Sequence, residues 1–216
     1  MTIVEPTITT NDTSIYEIRM DDFLKYASRI HIDITDGKFA PSQTINLNQL
    51  YWPKPEERST KIDLHLMIAN PLDWLDQIVS LGPDKVILHA ESNDAASKLP
   101  KIFTHLRKFG IQSGVALLPS TQPSDVAEII KTADSVLIFG GHLGYQGGEA
   151  DLTQLKKIAL VKAIKKQATI EWDGGANADN VKQIATAGVD IINVGSAISK
   201  APVAEDAYRD IIAALN

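Results

Sequence analysis

Short apolar, β-branched runs alternate with helix-signalling segments from one end of the chain to the other, and this alternation limits the fold more than any other feature. The strand-like runs are Ile3–Thr9, Arg29–Ile34, Lys61–Met67, Lys85–His89, Gln112–Leu118, Ser135–Phe139, Thr169–Trp172 and Ile191–Val194. Between them lie helix starters and stops. Asn11-Asp12-Thr13 opens a helix through Tyr26, and Asn70-Pro71 opens one that ends near Gly82. Further helices are predicted over Asn93–Phe109, from Ser124-Asp125 to Lys131, and over Leu152–Lys166, Ala178–Ala187 and Val203–Leu215. Only the stretch from Lys38 to Thr60, with Pro41, Pro53 and Pro55, reads as irregular, with one short helix near Leu47–Leu50. Strict alternation predicts a parallel sheet, and eight units fit a closed α/β barrel, (β/α)8, spanning residues 1–216 as one domain. The rival, an open doubly wound sheet, usually has fewer strands at this length and carries a glycine-rich phosphate loop after its first strand. No such loop follows Ile3–Thr9.

Residues two apart in a strand share a face, so His31 and Asp33 point one way while Ile30, Ile32 and Ile34 point the other. Burying an imidazole beside a carboxylate is costly without compensation. Two readings are open at this stretch: a pair of metal ligands, or two polar residues that satisfy one another. A barrel supplies the test, because its active site lies at the C-terminal ends of the strands. Thr7 and Thr9, His65, His89 and Asp173 all end strands, and His142 follows the sixth. Only His105 of the five histidines falls elsewhere, in a helix. The tightest subset is His31, Asp33, His65 and Asp173. Two imidazoles and two carboxylates suit Zn, Fe or Mn as a single divalent ion and do not select among them. The chain has no cysteine, so thiolate ligation is excluded. Asp63 and Glu171, each two residues before a rim residue, are expected to point inward deeper in the barrel as supporting partners.

Three glycine-bearing segments follow the last three strands: Gly140 to Gly148, Gly174-Gly175 and Gly195-Ser196. Glycines let a backbone approach an anion and aim N–H groups at it, and phosphate sites after strands seven and eight recur in such barrels. A phosphorylated substrate is therefore expected. The net charge of −6 argues against a nucleic-acid partner. No apolar run has the length of a membrane span, and the N-terminal residues show no signal-peptide pattern, so a cytoplasmic protein without a membrane partner is expected.

With these residues in view, the chain resembles the ribulose-phosphate 3-epimerase family. The matching motifs are His31-x-Asp33-x-x-Asp36-Gly37-x-Phe39-x-Pro41, Asp63-x-His65-Leu66-Met67-x-x-Asn70-Pro71, Glu171-x-Asp173-Gly174-Gly175 and Gly195-Ser196-Ala197. Weaker similarity, including His89-x-Glu91, extends over nearly the whole chain. The resemblance implies a TIM barrel of the ribulose-phosphate-binding type, one divalent metal ion, a ketose phosphate substrate and self-association into a homo-oligomer. By position it implies His31, Asp33, His65 and Asp173 as metal ligands, with Asp33 and Asp173 doubling as the acid–base pair. It implies substrate or phosphate contacts from Thr7, Met67, Gly144, Tyr145, Gln146, Gly147, Gly174, Gly175, Gly195 and Ser196. The chain departs from the pattern at Thr35 and Phe139, where methionines are usual, at Trp172, and in the loop His142 to Gly148, which lacks the family's proline.

The implied reaction inverts carbon 3 of a ketose phosphate, D-ribulose 5-phosphate to D-xylulose 5-phosphate. A carboxylate on each face removes and returns the proton through an enediolate. Two other readings stay open: an epimerase of another ketose phosphate such as allulose 6-phosphate, and a barrel that binds a sugar phosphate without turnover.

Overall fold

In the computed structural model, which describes residues 2–144 and 147–215, eight strands close into a barrel in sequence order. They are β1 (Ile3–Ile8), β2 (Arg29–Thr35), β3 (Lys61–Met67), β4 (Lys85–His89), β5 (Gln112–Leu117), β6 (Ser135–Phe139), β7 (Thr169–Asp173) and β8 (Ile191–Val194). Every adjacent pair is parallel, and β8 returns to β1 with Ile3 opposite Ile191 and Pro6 opposite Val194. The helices are α1 (Thr13–Phe23), α2 (Leu75–Leu81), α3 (Ala95–Arg107), α4 (Ala127–Thr132), α5 (Lys157–Ile164), α6 (Val181–Thr186), α7 (Ser196–Ser199) and α8 (Ala204–Ala214). Among the described residues, no helix is long and apolar enough to cross a membrane.

Several predicted helices are shorter than their sequence signals. Pro71–Trp74, Pro123–Val126 and Leu152–Lys156 are 3-10 turns that lead into α2, α4 and α5. A four-residue helix, α7, begins directly after β8, where the sequence predicts only a loop. Asp12 caps α1 as expected, its carboxylate accepting from the N–H groups of Ser14 (2.8 Å) and Ile15 (3.3 Å).

Strand alternation sorts the barrel wall into two environments. Ile30, Ile32 and Ile34 of β2, Ile62, Leu64 and Leu66 of β3, and Ile192 and Val194 of β8 face outward into the main core beneath the helices. Trp172 of β7 joins that outer core, with its indole N–H donating to the Gly174 carbonyl at 2.9 Å. A Cβ on Gly140 would lie 2.2 Å from the Trp172 ring, so the bulky indole fits only because its neighbour has no side chain. This departure from the family pattern is absorbed by packing and lies outside the barrel interior.

The interior itself is divided. Ile87, Ala116, Leu137 and Phe139, from β4 to β6, form a small apolar cluster of their own. The rest of the wall, β1 to β3 with β7, β8 and the two ends of β4, carries most of the polar residues. Deep within it five charged side chains form a buried layer. Arg29 reaches Glu5 and Asp63 at 2.7 Å each, and Lys85 reaches Asp63 and Glu171 at 2.8 Å each. Asp63 and Glu171 do point inward as expected, but their partners are these two cations, one from β2 and one from β4.

The N-terminal end of the barrel is fastened by a repeated device. Asp84, Asp134 and Asp190 each precede an even-numbered strand. Their backbone N–H groups donate to the carbonyls of Ile62, Ser113 and Ile170, at 2.8, 2.7 and 2.8 Å. Their carboxylates accept from the N–H groups of those same three residues, at 2.8, 2.9 and 2.8 Å. Each aspartate thus satisfies both backbone groups at the start of the preceding strand.

Candidate active site

The C-terminal ends of β2, β3 and β7 bring His31, Asp33, His65 and Asp173 together. One donor atom from each falls within 4.8 Å of all the others. Register explains the gathering, since Asp33 sits opposite His65 in the β2–β3 pair. His65 Nδ1 lies 3.0 Å from Asp33 Oδ1 and 3.3 Å from Asp173 Oδ2, and His31 Nε2 lies 3.2 Å from Asp33 Oδ1. Thr9 donates to the other Asp33 oxygen at 2.7 Å. Two nitrogens and two carboxylate oxygens converging at this spacing form a donor set that could hold a divalent ion. Each histidine turns a nitrogen toward the Asp33 carboxylate, a geometry that suits both readings of the His31–Asp33 stretch.

The electrostatics follow from burial against partners. Burial opposes protonation of His65, but hydrogen bonds to Asp173 and Asp33 outweigh it and raise the imidazole to about 9. His31 is shifted upward by the same balance, with Asp33 as its partner. Burial alone would push the Asp33 carboxyl up; hydrogen bonds from His31 and His65 instead hold it well below the usual carboxylate range.

His89, which ends β4, stays outside the four-residue donor set but touches it. His89 Nε2 lies 2.9 Å from His65 Nε2, and His89 Nδ1 lies 3.2 Å from Glu91 Oε2. The other Glu91 oxygen accepts from the Leu118 N–H at 2.9 Å and from the Thr121 hydroxyl. Burial lowers His89, which makes it a neutral imidazole: Nδ1–H donates to Glu91 and Nε2 accepts from His65. This relay fixes the His65 ring with Nδ1 facing the carboxylates. The signal for it was present as His89-x-Glu91. His105 lies in α3, as the sequence indicates.

The predicted substrate residues that fall among the described ones line one cavity above the cluster. Thr7, Met67, Asp33 and Asp173 form its inner part, and Gly144, Gly147, Gly174, Gly175, Gly195 and Ser196 its rim. Thr35 and Phe139 also line it, as does the exposed His142. Tyr145 and Gln146 lie outside the described residues. Gly174 has φ +119°, and a Cβ there would lie 2.2 Å from the Gly141 nitrogen. Here glycine serves the close approach of two loops as well as the lining of the cavity. Asn193, which no sequence argument singled out, lines the same cavity.

Known proteins are similar to this chain over most of its length. The ribulose-phosphate 3-epimerase of Chlamydia trachomatis is 30% identical over 178 residues, which span 79% of this chain and 74% of that protein. That of Mycobacterium leprae is 32% identical over 180 residues, spanning 80% and 77%. Among solved structures, 3-hexulose-6-phosphate synthase from Salmonella typhimurium matches with a TM-score of 0.75 over 99% of this chain and 98% of its own. At 15% identity that likeness is one of fold alone. The family description "Ribulose-phosphate 3 epimerase family" matches residues 3–199, from the start of β1 to the end of α7. The match thus includes all four residues of the cluster, and the chain belongs to the ribulose-phosphate 3-epimerase family, a family of isomerases.

Proposed function

We propose that the protein interconverts D-ribulose 5-phosphate and D-xylulose 5-phosphate by inverting carbon 3, with Asp33 and Asp173 as the acid–base pair. One observation carries the reading. Two carboxylates from β2 and β7 reach the same imidazole nitrogen, at 3.0 and 3.3 Å, and both open into one cavity with a glycine-rich rim. A proton next to a ketone is removed from one face and returned to the other when a carboxylate stands on each. Asp33, held ionised by His31 and His65, accepts the carbon 3 proton in one direction while Asp173 delivers one to the opposite face. The reverse reaction exchanges their roles.

His31, Asp33, His65 and Asp173 would hold one divalent ion of the Zn, Fe or Mn class, as their converging donor set allows. Such an ion supplies Lewis-acid polarisation of the substrate's ketone. Thr9 orients Asp33, and His89 with Glu91 orients His65. The backbone of Gly174, Gly175, Gly195 and Ser196, together with the loop that carries Gly144 and Gly147, would bind the phosphate. Thr7 and Met67 would bound the sugar.

Asp173→Asn tests the scheme. Wild-type protein is expected to turn over D-ribulose 5-phosphate and to exchange the carbon 3 proton with deuterated solvent. The variant should lose about 10²–10⁴-fold in kcat, the usual worth of a general acid or base. Near-normal turnover by Asp173→Asn would refute the two-carboxylate scheme. Turnover of a hexulose 6-phosphate in preference would assign the same chemistry to another ketose phosphate.

A further inference from the structure

Asn193 is the one inward-facing residue of β8 at the level of the cluster, opposite Asp173 on β7 and Glu5 on β1. It is 1% exposed and lines the cavity beneath Gly195 and Ser196. Among the described residues, neither its amide oxygen nor its amide nitrogen has a hydrogen-bond partner. Glu5, Arg29, Asp63, Lys85 and Glu171 nearby engage one another in ion pairs, but none hydrogen-bonds the amide. Buried amides are rarely left this way, because burying an unpaired donor and acceptor is costly and a Val or Leu at the site would avoid the loss. The outward neighbours Ile192 and Val194 show that β8 does carry apolar residues wherever packing alone decides.

We infer that Asn193 is a substrate-binding residue that recognises the oxygens of the sugar backbone. Its N–H group donates to one substrate oxygen and its carbonyl accepts from a hydroxyl. The assignment rests on the ketose-phosphate reading above and deepens it. A neutral amide offers both a donor and an acceptor; a hydroxyl or an α-hydroxy ketone uses both, whereas a phosphate dianion would use the donor alone. Position agrees. At about 3.3 Å of rise per residue, Asn193 sits about 6.6 Å deeper along β8 than Gly195 at the rim. A ligand with its phosphate at Gly195-Ser196 and its reacting carbon at Asp173 therefore extends its backbone oxygens past Asn193. The unpartnered hydroxyl of Thr7, on β1 beside β8, opens into the same cavity.

Asn193→Leu keeps the branched outline of the side chain and removes both polar atoms. Its calorimetric affinity for ribitol 5-phosphate, which carries the backbone hydroxyls but does not react, is expected to fall about 10–100-fold. Inorganic phosphate, which can occupy only the rim, should bind within about twofold of wild type, and the melting temperature should stay level or rise. A purely structural asparagine would give the reverse: lower melting temperature with ligand affinity intact. The inference is overturned if ribitol 5-phosphate binds Asn193→Leu within about twofold of wild type, or if phosphate affinity falls in parallel. Should the leucine variant fail to fold, Asn193→Val is judged by the same ratio of affinities. Wild-type protein that binds ribitol 5-phosphate through Asn193 without turning over D-ribulose 5-phosphate would refute D-ribulose 5-phosphate as the substrate and leave this assignment standing.

Discussion

Replacing Lys85 with methionine isolates the charge of the buried layer, because methionine fills most of the lysine stem. In the native layer three carboxylates, Glu5, Asp63 and Glu171, face two cations, Arg29 and Lys85. One carboxylate is in surplus, and Glu5 absorbs it: burial, with the Asp63 charge beside it, pushes the Glu5 carboxyl up to about 8. Lys85→Met creates a second surplus. Asp63 keeps its two hydrogen bonds from Arg29, at 2.9 and 2.7 Å. Glu171 loses its contact at 2.8 Å, and its second oxygen has no hydrogen-bond partner among the described residues to fall back on. Removing one member of a buried ion pair costs about 3–5 kcal/mol. A second route gives the same size. If the layer takes up one more proton at pH 7, on a carboxyl with an ordinary glutamate value of about 4.5, the cost is about 3.4 kcal/mol. The proton route also fixes the pH dependence, because the penalty should shrink to about 1 kcal/mol at pH 5. Urea unfolding of both proteins at pH 5 and pH 7, followed by tryptophan fluorescence, reads the difference directly. A loss below about 1 kcal/mol at pH 7, or an equal loss at both pH values, would refute the view that Lys85 compensates buried charge.

Two further predictions use the shifted groups. Glu5 has a folded-state value of about 8 against an ordinary 4.5, so its contribution to stability is complete below pH 4.5 and is lost as pH rises through about 8. Glu5→Gln mimics the protonated form, so it should match wild type near pH 4.5, gain on it by up to ~1.4 kcal/mol per pH unit up to about pH 8 and gain no further above that; parallel stability profiles would contradict the shift. His65, at about 9 without metal, must release its proton before Nδ1 can ligate. Affinity for Zn²⁺ or Mn²⁺, measured by chelator competition, should therefore rise up to about tenfold per pH unit below pH 9 and level off above it, whereas a flat profile between pH 6 and 9 would exclude Nδ1 as a ligand.

The sequence by itself determined the order of elements and the end of the barrel at which chemistry gathers. Periodicity carries both. Alternating β and α units imply parallel strands, and a polar residue at the close of a strand such as His31–Asp33, His65 or Asp173 is placed at the rim without knowledge of its neighbours. The tertiary structure decided what depends on register and on side chains from strands distant in sequence. The buried layer joins Glu5, Arg29, Asp63, Lys85 and Glu171 from five strands, and Arg29 and Lys85 taken singly read as ordinary charges at strand starts. Trp172 looks like a change beside Asp173, yet alternation turns it outward, where Gly140 makes room for it. His89 matters because its ring meets that of His65 from the next strand. Asn193 is an unremarkable letter in Ile-Ile-Asn-Val; closing the barrel makes it a buried amide beside Asp173 with no hydrogen-bond partner among the described residues. The physical reason is common to all four. Local pattern fixes which face a side chain takes, whereas burial, charge balance and hydrogen-bond satisfaction are properties of the closed barrel.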